Sequence, residues 1–180
     1  MTRFPVLAYT DVTDPAVQAI YDEIKAELGF GIVPILFKSM AIRPSFLETQ
    51  WRHFRATVLK GLLPRTVKEM IGVTISQANG SEYALRVHLH SLSALGISEE
   101  VLHLLVTDCA NCPLPERQKQ SIIFGLRVAT QPRAVSDQDY TRLRHLGLSD
   151  TEIFEIVATA NLFLGVNQYT DAIQLEIDQL

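Results

Sequence analysis

Apolar residues in this chain recur every three to four positions, in blocks separated by Gly, Pro and Ser. In TDPAVQAIYDEIKAELGF, the residues Val17, Ile20, Tyr21, Ile24 and Leu28 form one stripe. That spacing places them on a single helix face. Thr13 or Asp14 can cap this helix, Pro15 suits its first turn, and Gly29 suits its stop. FGIVPILFKSMAIRP predicts a short helix that Pro34 begins and that the pre-proline bias limits near Arg43. RPSFLETQWRHFRATVLKG predicts another helix, with Phe46, Trp51, Phe54 and Val58 in the core and Gly61 as the stop. Further helices follow in LPRTVKEMIGVTISQANG, SEYALRVHLHSLSALG, ISEEVLHLLVTDC, LPERQKQSIIFGLRVATQP, VSDQDYTRLRHLG and LSDTEIFEIVATANLF, with a last one after Gly165. VKEMIGVTIS contains β-branched residues, but it is too long and too continuous with its neighbours for a strand. The predicted fold class is all-α.

The pattern also repeats. Leu63-Pro64 recurs as Leu114-Pro115, 51 positions later, and Lys68, Ile71 and Ala78 recur as Lys119, Ile122 and Ala129. Leu95-Gly96-Ile97-Ser98 recurs as Leu146-Gly147-Leu148-Ser149 at the same offset. This predicts a duplicated helical unit whose copies bury their apolar faces on one another. Residues 1–62 then form an N-terminal helical arm and 63–180 a bundle core, in one compact domain. The copies differ at some polar positions. Glu69 is matched by Gln120, Ser81 by Pro132 and His88 by Asp139.

Composition narrows the partners. A net charge of −4 over 180 residues argues against nucleic acid, whose binders carry clustered Lys and Arg. No apolar run is long enough to span a bilayer, and MTRFPVLAYTDVTD lacks the apolar core of a secretory signal. Two cysteines do not make a disulfide framework, so a reducing cytoplasm is the expected location.

The chemistry-bearing candidates are Glu69, Ser81, Tyr83 and His88. With Ser81 as N-cap, Tyr83 falls in the first turn, and His88 lies almost two whole turns along on the face of Ser81. An antiparallel hairpin through Asn79-Gly80 brings Glu69 near His88. A carboxylate and an imidazole at a helix N-terminus can move protons and favour an anion. The same four residues can equally do no more than cap, pack and satisfy one another.

The pair Cys109 and Cys112 is spaced as CxxC but falls at a helix end, where the dipole disfavours thiolate. His88 and His90 point about 160° apart on a helix and cannot share a metal. No metal site is expected. His53, His103 and His145 read as surface or boundary residues.

Glu69, eleven residues, Ser81-Glu82-Tyr83-Ala84, three residues, His88, then Ala94-Leu95-Gly96-Ile97-Ser98 resembles the alkylhydroperoxidase D-like, or carboxymuconolactone decarboxylase-like, superfamily. Its thiol branch has Cys-x-x-Cys where Ser81 and Ala84 stand here. GFGIVPILFKSMAIRPSFLETQW resembles the arm of longer, peroxidase-related members, and LGLSDTEIFEIVATANLFLGVNQYTDAI resembles their C-terminal helices. The resemblance implies an all-α bundle that assembles as a dimer, trimer or hexamer. It implies a small-molecule ligand and no cofactor. In the thiol branch, the Glu and His relay protons to cysteines. Ser81 and Ala84 hold no sulfur, so that chemistry is excluded at these positions. The decarboxylase branch also lacks the cysteine pair and uses acid/base chemistry on carboxylated lactones. The expectation is therefore acid/base chemistry on a small anionic substrate, with Glu69, His88, Tyr83 and Ser81 at the site. The alternatives are a non-catalytic oligomeric binding protein, or a peroxidase-related protein that uses Cys109 and Cys112.

Overall fold

The computed structural model describes residues 2–178, and among them no strand occurs. Its helices are α1 Pro15–Leu28, α2 Ile35–Met40, α3 Pro44–Phe54, α4 Arg65–Asn79, α5 Glu82–Ala94, α6 Glu99–Thr107, α7 Glu116–Thr130, α8 Asp137–His145 and α9 Asp150–Ala172. The predicted all-α class holds.

Local chemistry sets most boundaries where the sequence puts them. Asp14 caps α1 by accepting from the Ala16 N–H, and Gly29 ends it at φ 89°. Gly80 ends α4 at φ 68°. Arg43 is extended before Pro44, as pre-proline sterics require. Three details differ from expectation. Phe46 is 41% exposed, because it lies off the stripe of Leu47, Trp51 and Phe54 that faces the arm's interior. After Phe54 the chain continues as a π-helical turn, Arg55–Leu59, which places Val58 against Leu162 and Phe163. Gly165 does not divide the last segment. It is exposed with open space around it, so α9 runs through it unbroken for 23 residues.

The duplication is visible in the helices themselves. α4 and α7 are both 15 residues long and start 51 positions apart, each behind a proline. α6 and α9 also start 51 apart, with Ser98 and Ser149 as side-chain caps. Before each serine, Gly96 and Gly147 adopt φ of 83° and 82°. Where Ser81 precedes α5, the second copy has Pro132 in a short 3₁₀ turn, and α8 starts only at Asp137. α4 and α7 pack together, with the repeat mates Ile71 and Ile122 both fully buried.

The bundle core gathers around Ile71, Ile75, Leu92, Ile122 and Ile156. A second core holds the arm, with Tyr21, Ile24, Phe37, Leu47 and Trp51 joined by Tyr83, Ile173 and Leu175. Between the two lies a polar clamp. Glu155 accepts from the Leu62 and Leu63 N–H groups at 2.8 and 2.9 Å, and pairs with Lys68 Nζ at 2.9 Å. Lys68, with no exposed surface, also donates to the Lys60 carbonyl at 2.5 Å. Burial pushes the Glu155 carboxyl up, but the two N–H groups and Lys68 hold it below its ordinary value. Gly61, at φ 107°, sits so close to this carboxylate that a side chain would collide with it.

Candidate active site

α4 and α5 form the predicted hairpin, which brings Glu69 and His88 together. His88 Nδ1 lies 2.7 Å from Glu69 Oε2, and both side chains are buried. The other carboxylate oxygen accepts from Ser91 Oγ at 2.9 Å and from Arg65 Nε at 3.3 Å. Burial pushes the Glu69 carboxyl up. The bond and charge of His88, with Arg65 and Ser91, more than offset this and hold it below its ordinary value. An ionised Glu69 accepts the proton on Nδ1 and so orients the ring. Nε2 has no hydrogen-bond partner among the described residues.

One residue essential to this placement carries no obvious signal in the sequence. The His88 ring lies against Gly72 of α4, where an added methyl group would fall 2.5 Å from Cε1 and 2.6 Å from Nε2. Phe163 of α9 meets the ring edge-on, with centroids 4.3 Å apart. The imidazole is thus wedged between a bare backbone and an aromatic ring. A mid-helix glycine costs about 1 kcal/mol relative to alanine, and here it makes room for the histidine. Its repeat mate is Ile123.

Glu69 and His88 open onto a narrow cavity of ≈ 30 Å³. Drug-sized pockets are typically about 300–1,000 Å³. Leu28, Phe30, Pro34, Leu36, Phe37 and Phe54 of the arm form one side. Tyr83, Ala84 and Val87 of α5, with Phe163 and Val166 of α9, form the other. The arm therefore completes a site whose polar pair belongs to the first copy. In the second copy, Gln120 bonds Glu116, while Asp139 bonds Ser136 and Arg127, so no equivalent pair exists there.

Ser81 and Tyr83 are placed differently from expectation. Ser81 stands at the N-cap position of α5, but its hydroxyl caps nothing. It donates to Asp171 Oδ1 at 2.8 Å and does not line the cavity. The capping role is corrected accordingly: a carboxylate from the end of α9 captures the hydroxyl. Tyr83 lines the cavity, yet its hydroxyl is committed elsewhere. It donates to Asp178 at 2.7 Å and accepts from the Leu36 N–H at 3.1 Å. Burial first, then Asp178, raises its hydroxyl well above the ordinary tyrosine range. Tyr83 thus joins α5 to the start of α2 and to the C-terminal tail. Ala84, at the other thiol position of the resemblance, does face the cavity.

Cys109 and Cys112 lie outside this cavity, on a 3₁₀ turn between α6 and α7. Cys112 is fully buried, and burial pushes both thiols up, away from reactive thiolate. Among the described residues, no group of three or more His, Cys, Asp or Glu could hold a metal ion, and no helix is long and apolar enough to cross a membrane.

Residues 44–112, which span the dyad and the hairpin, match the Carboxymuconolactone decarboxylase family. This stretch covers less than half of the chain and carries its likeness to that family. No curated protein matches it in sequence. Its fold is similar to that of a peroxidase-related protein with an alkylhydroperoxidase D core from Ralstonia eutropha JMP134, at 24% identity and TM-score 0.89 over 99% of this chain and 93% of that one. A peroxidase-related protein from Silicibacter sp. TM1040 is similar at 22% identity and TM-score 0.89, over 99% and 92% of the two chains. A Cys→Ala variant of the debrominase Bmp8, in complex with 2,3,4-tribromopyrrole, is similar at 16% identity and TM-score 0.82, over 99% and 95%. Glu69 and His88 both lie in the matched segment, with Ser81 and Ala84 between them.

The charge state of Glu69 makes a pH prediction. Its folded value is lowered, so the pair contributes stability that is fully present above the ordinary value of 4.5 and is lost as pH falls through the lower folded value. Glu69→Gln removes this contribution, so the acid limb of stability flattens. Urea midpoints measured from pH 7 down to pH 3 check it, and parallel curves for the two proteins would contradict it.

Proposed function

We propose that this protein is a thiol-free acid/base enzyme acting on a small organic molecule. His88 is the proton carrier and Glu69 its orienting partner. The observation that carries this reading is the unpartnered Nε2 of a buried histidine whose Nδ1 is held by an ionised glutamate, in the wall of a small apolar cavity. In that arrangement Nε2 takes a proton from the substrate, Glu69 stabilises the imidazolium, and the proton returns to another atom of the same molecule. Net charge and redox state are unchanged, so no cofactor is required. Positioned groups of this kind contribute about 10²–10⁴-fold to rate. Ser81 and Tyr83 act here through placement, by tying α5 to Asp171 and Asp178.

Solvent deuterium exchange into small ketones and lactones, followed by NMR, tests the proposal without requiring the natural substrate. His88→Ala should lose exchange by at least about 100-fold, and Glu69→Gln by a smaller factor. Equal exchange by wild type and His88→Ala overturns the reading. The raised thiols of Cys109 and Cys112, which lie outside the cavity, favour this reading over peroxidase chemistry at that pair. A homo-oligomer, as the superfamily resemblance implies, would cover Phe154 and Leu62, which are 69% and 64% exposed.

A further inference from the structure

We propose that the second copy of the unit carries a site of its own, which binds a small monocarboxylate against Arg142. It stands apart from the acid/base chemistry of the first copy. A cavity of ≈ 130 Å³ opens between α7 and α8. Its wall holds Gln120 and Asp139, the repeat mates of Glu69 and His88, so it takes the place that the dyad cavity has in the first copy. The mates Leu92 and Leu143, both buried, keep the same register.

The chemistry of the wall is inverted. Where Gly72 bares the backbone to the His88 ring, the second copy has Ile123. Where Ser91 donates to Glu69, it has Arg142, and Arg127 is a second cation in the wall. The one acid in the wall, Asp139, has both oxygens taken. Arg127 donates to Oδ1 at 2.7 Å, and the N–H and hydroxyl of Ser136 donate to Oδ2 at 2.9 Å each. The Ser136 N–H, with the Ser136 hydroxyl and Arg127, holds this carboxyl below its ordinary value against the upward push of burial. Asp139 is therefore ionised and offset by Arg127. Arg142 is left over, since its guanidinium has no hydrogen bond or ion pair among the described residues. Glu116 accepts from Gln120 but is not part of the wall, and Gln120 keeps a second amide N–H.

An unpaired arginine fork matches a carboxylate, which it holds through two parallel N–H···O bonds. Ile123, Phe124 and Leu143 make the rest of the wall apolar, which suits a short hydrocarbon tail. The volume equals about four waters at roughly 30 Å³ each, which fits an acid of about three or four carbons. A ligand held this way ties α8 to α7.

Titration of the full chain at constant ionic strength, followed by backbone amide NMR, tests the site with three probes. These are butyrate, butyramide (the same shape without the charge) and inorganic phosphate (charge without a tail). Butyrate should saturate, with shifts centred on residues 120–127 and 139–143. Butyramide and phosphate should each bind at least about tenfold more weakly. Arg142→Gln should weaken butyrate by at least about tenfold, and Arg142→Lys, which keeps the charge but not the fork, should fall between. Neither variant should disturb the fold, because the Arg142 side chain is exposed and unbonded. Phosphate binding as tightly as butyrate overturns the carboxylate assignment. Butyrate shifts that survive Arg142→Gln, that centre on the dyad cavity, or that never saturate overturn the site.

Discussion

Replacing Lys68 with methionine is expected to destabilise the fold by about 3 kcal/mol and lower Tm by roughly 6–12 °C. Lys68 is fully buried and bridges Glu155 to the Lys60 carbonyl. Removing one partner of a buried pair typically costs about 3–5 kcal/mol, because the other charge is left behind. The lower figure applies because Glu155 keeps the Leu62 and Leu63 N–H groups. The duplication supplies an internal control. Lys119 is the repeat mate of Lys68 but is only half-buried, so Lys119→Met should change stability by less than about 0.5 kcal/mol. Thermal and urea unfolding of both variants check the contrast, and equal effects would contradict the clamp.

Gly72→Ala is expected to separate activity from stability. The added methyl would fall 2.5 Å from the His88 ring. The ring cannot retreat past Phe163, whose centroid lies 4.3 Å away. It must swing away from Glu69, and a displacement of about 1 Å in a positioned catalytic group can cost on the order of 100-fold in rate. The helix itself gains about 1 kcal/mol from the better helix former, which partly offsets the strain. The expected result is an exchange rate down about 100-fold in a protein that still unfolds cooperatively. Retention of full activity with an unchanged His88 NMR signal would show that the contact does not position the ring.

The fold was legible because its signals are local. Helix starts and stops follow from Asp14, Gly29, Gly80, Ser98 and Ser149, each acting on its own segment. The 51-residue offset was legible because both copies reuse the same proline and Gly-x-Ser junction. Half of the site was legible too, since a helical hairpin brings Glu69 and His88 together by short-range geometry. The remainder depends on contacts between distant segments. Asp171 and Asp178 meet Ser81 and Tyr83 across 90 and 95 positions, and nothing local announces it. Ser81 reads as an N-cap because serine usually is one, and it loses that role to a carboxylate 90 positions away. Gly72 carries no local sign of its role, because the ring that rests on it comes from the neighbouring helix.

α9 begins where α6 does in its own copy but runs 23 residues instead of 9. The added length carries Phe163 and Val166 into the first copy's cavity and Asp171 to the start of α5. The two halves are thus no longer interchangeable: one holds the reactive pair and the other has become its wall. Both walls of the pocket therefore come from one polypeptide, and the lining described here draws on no second copy.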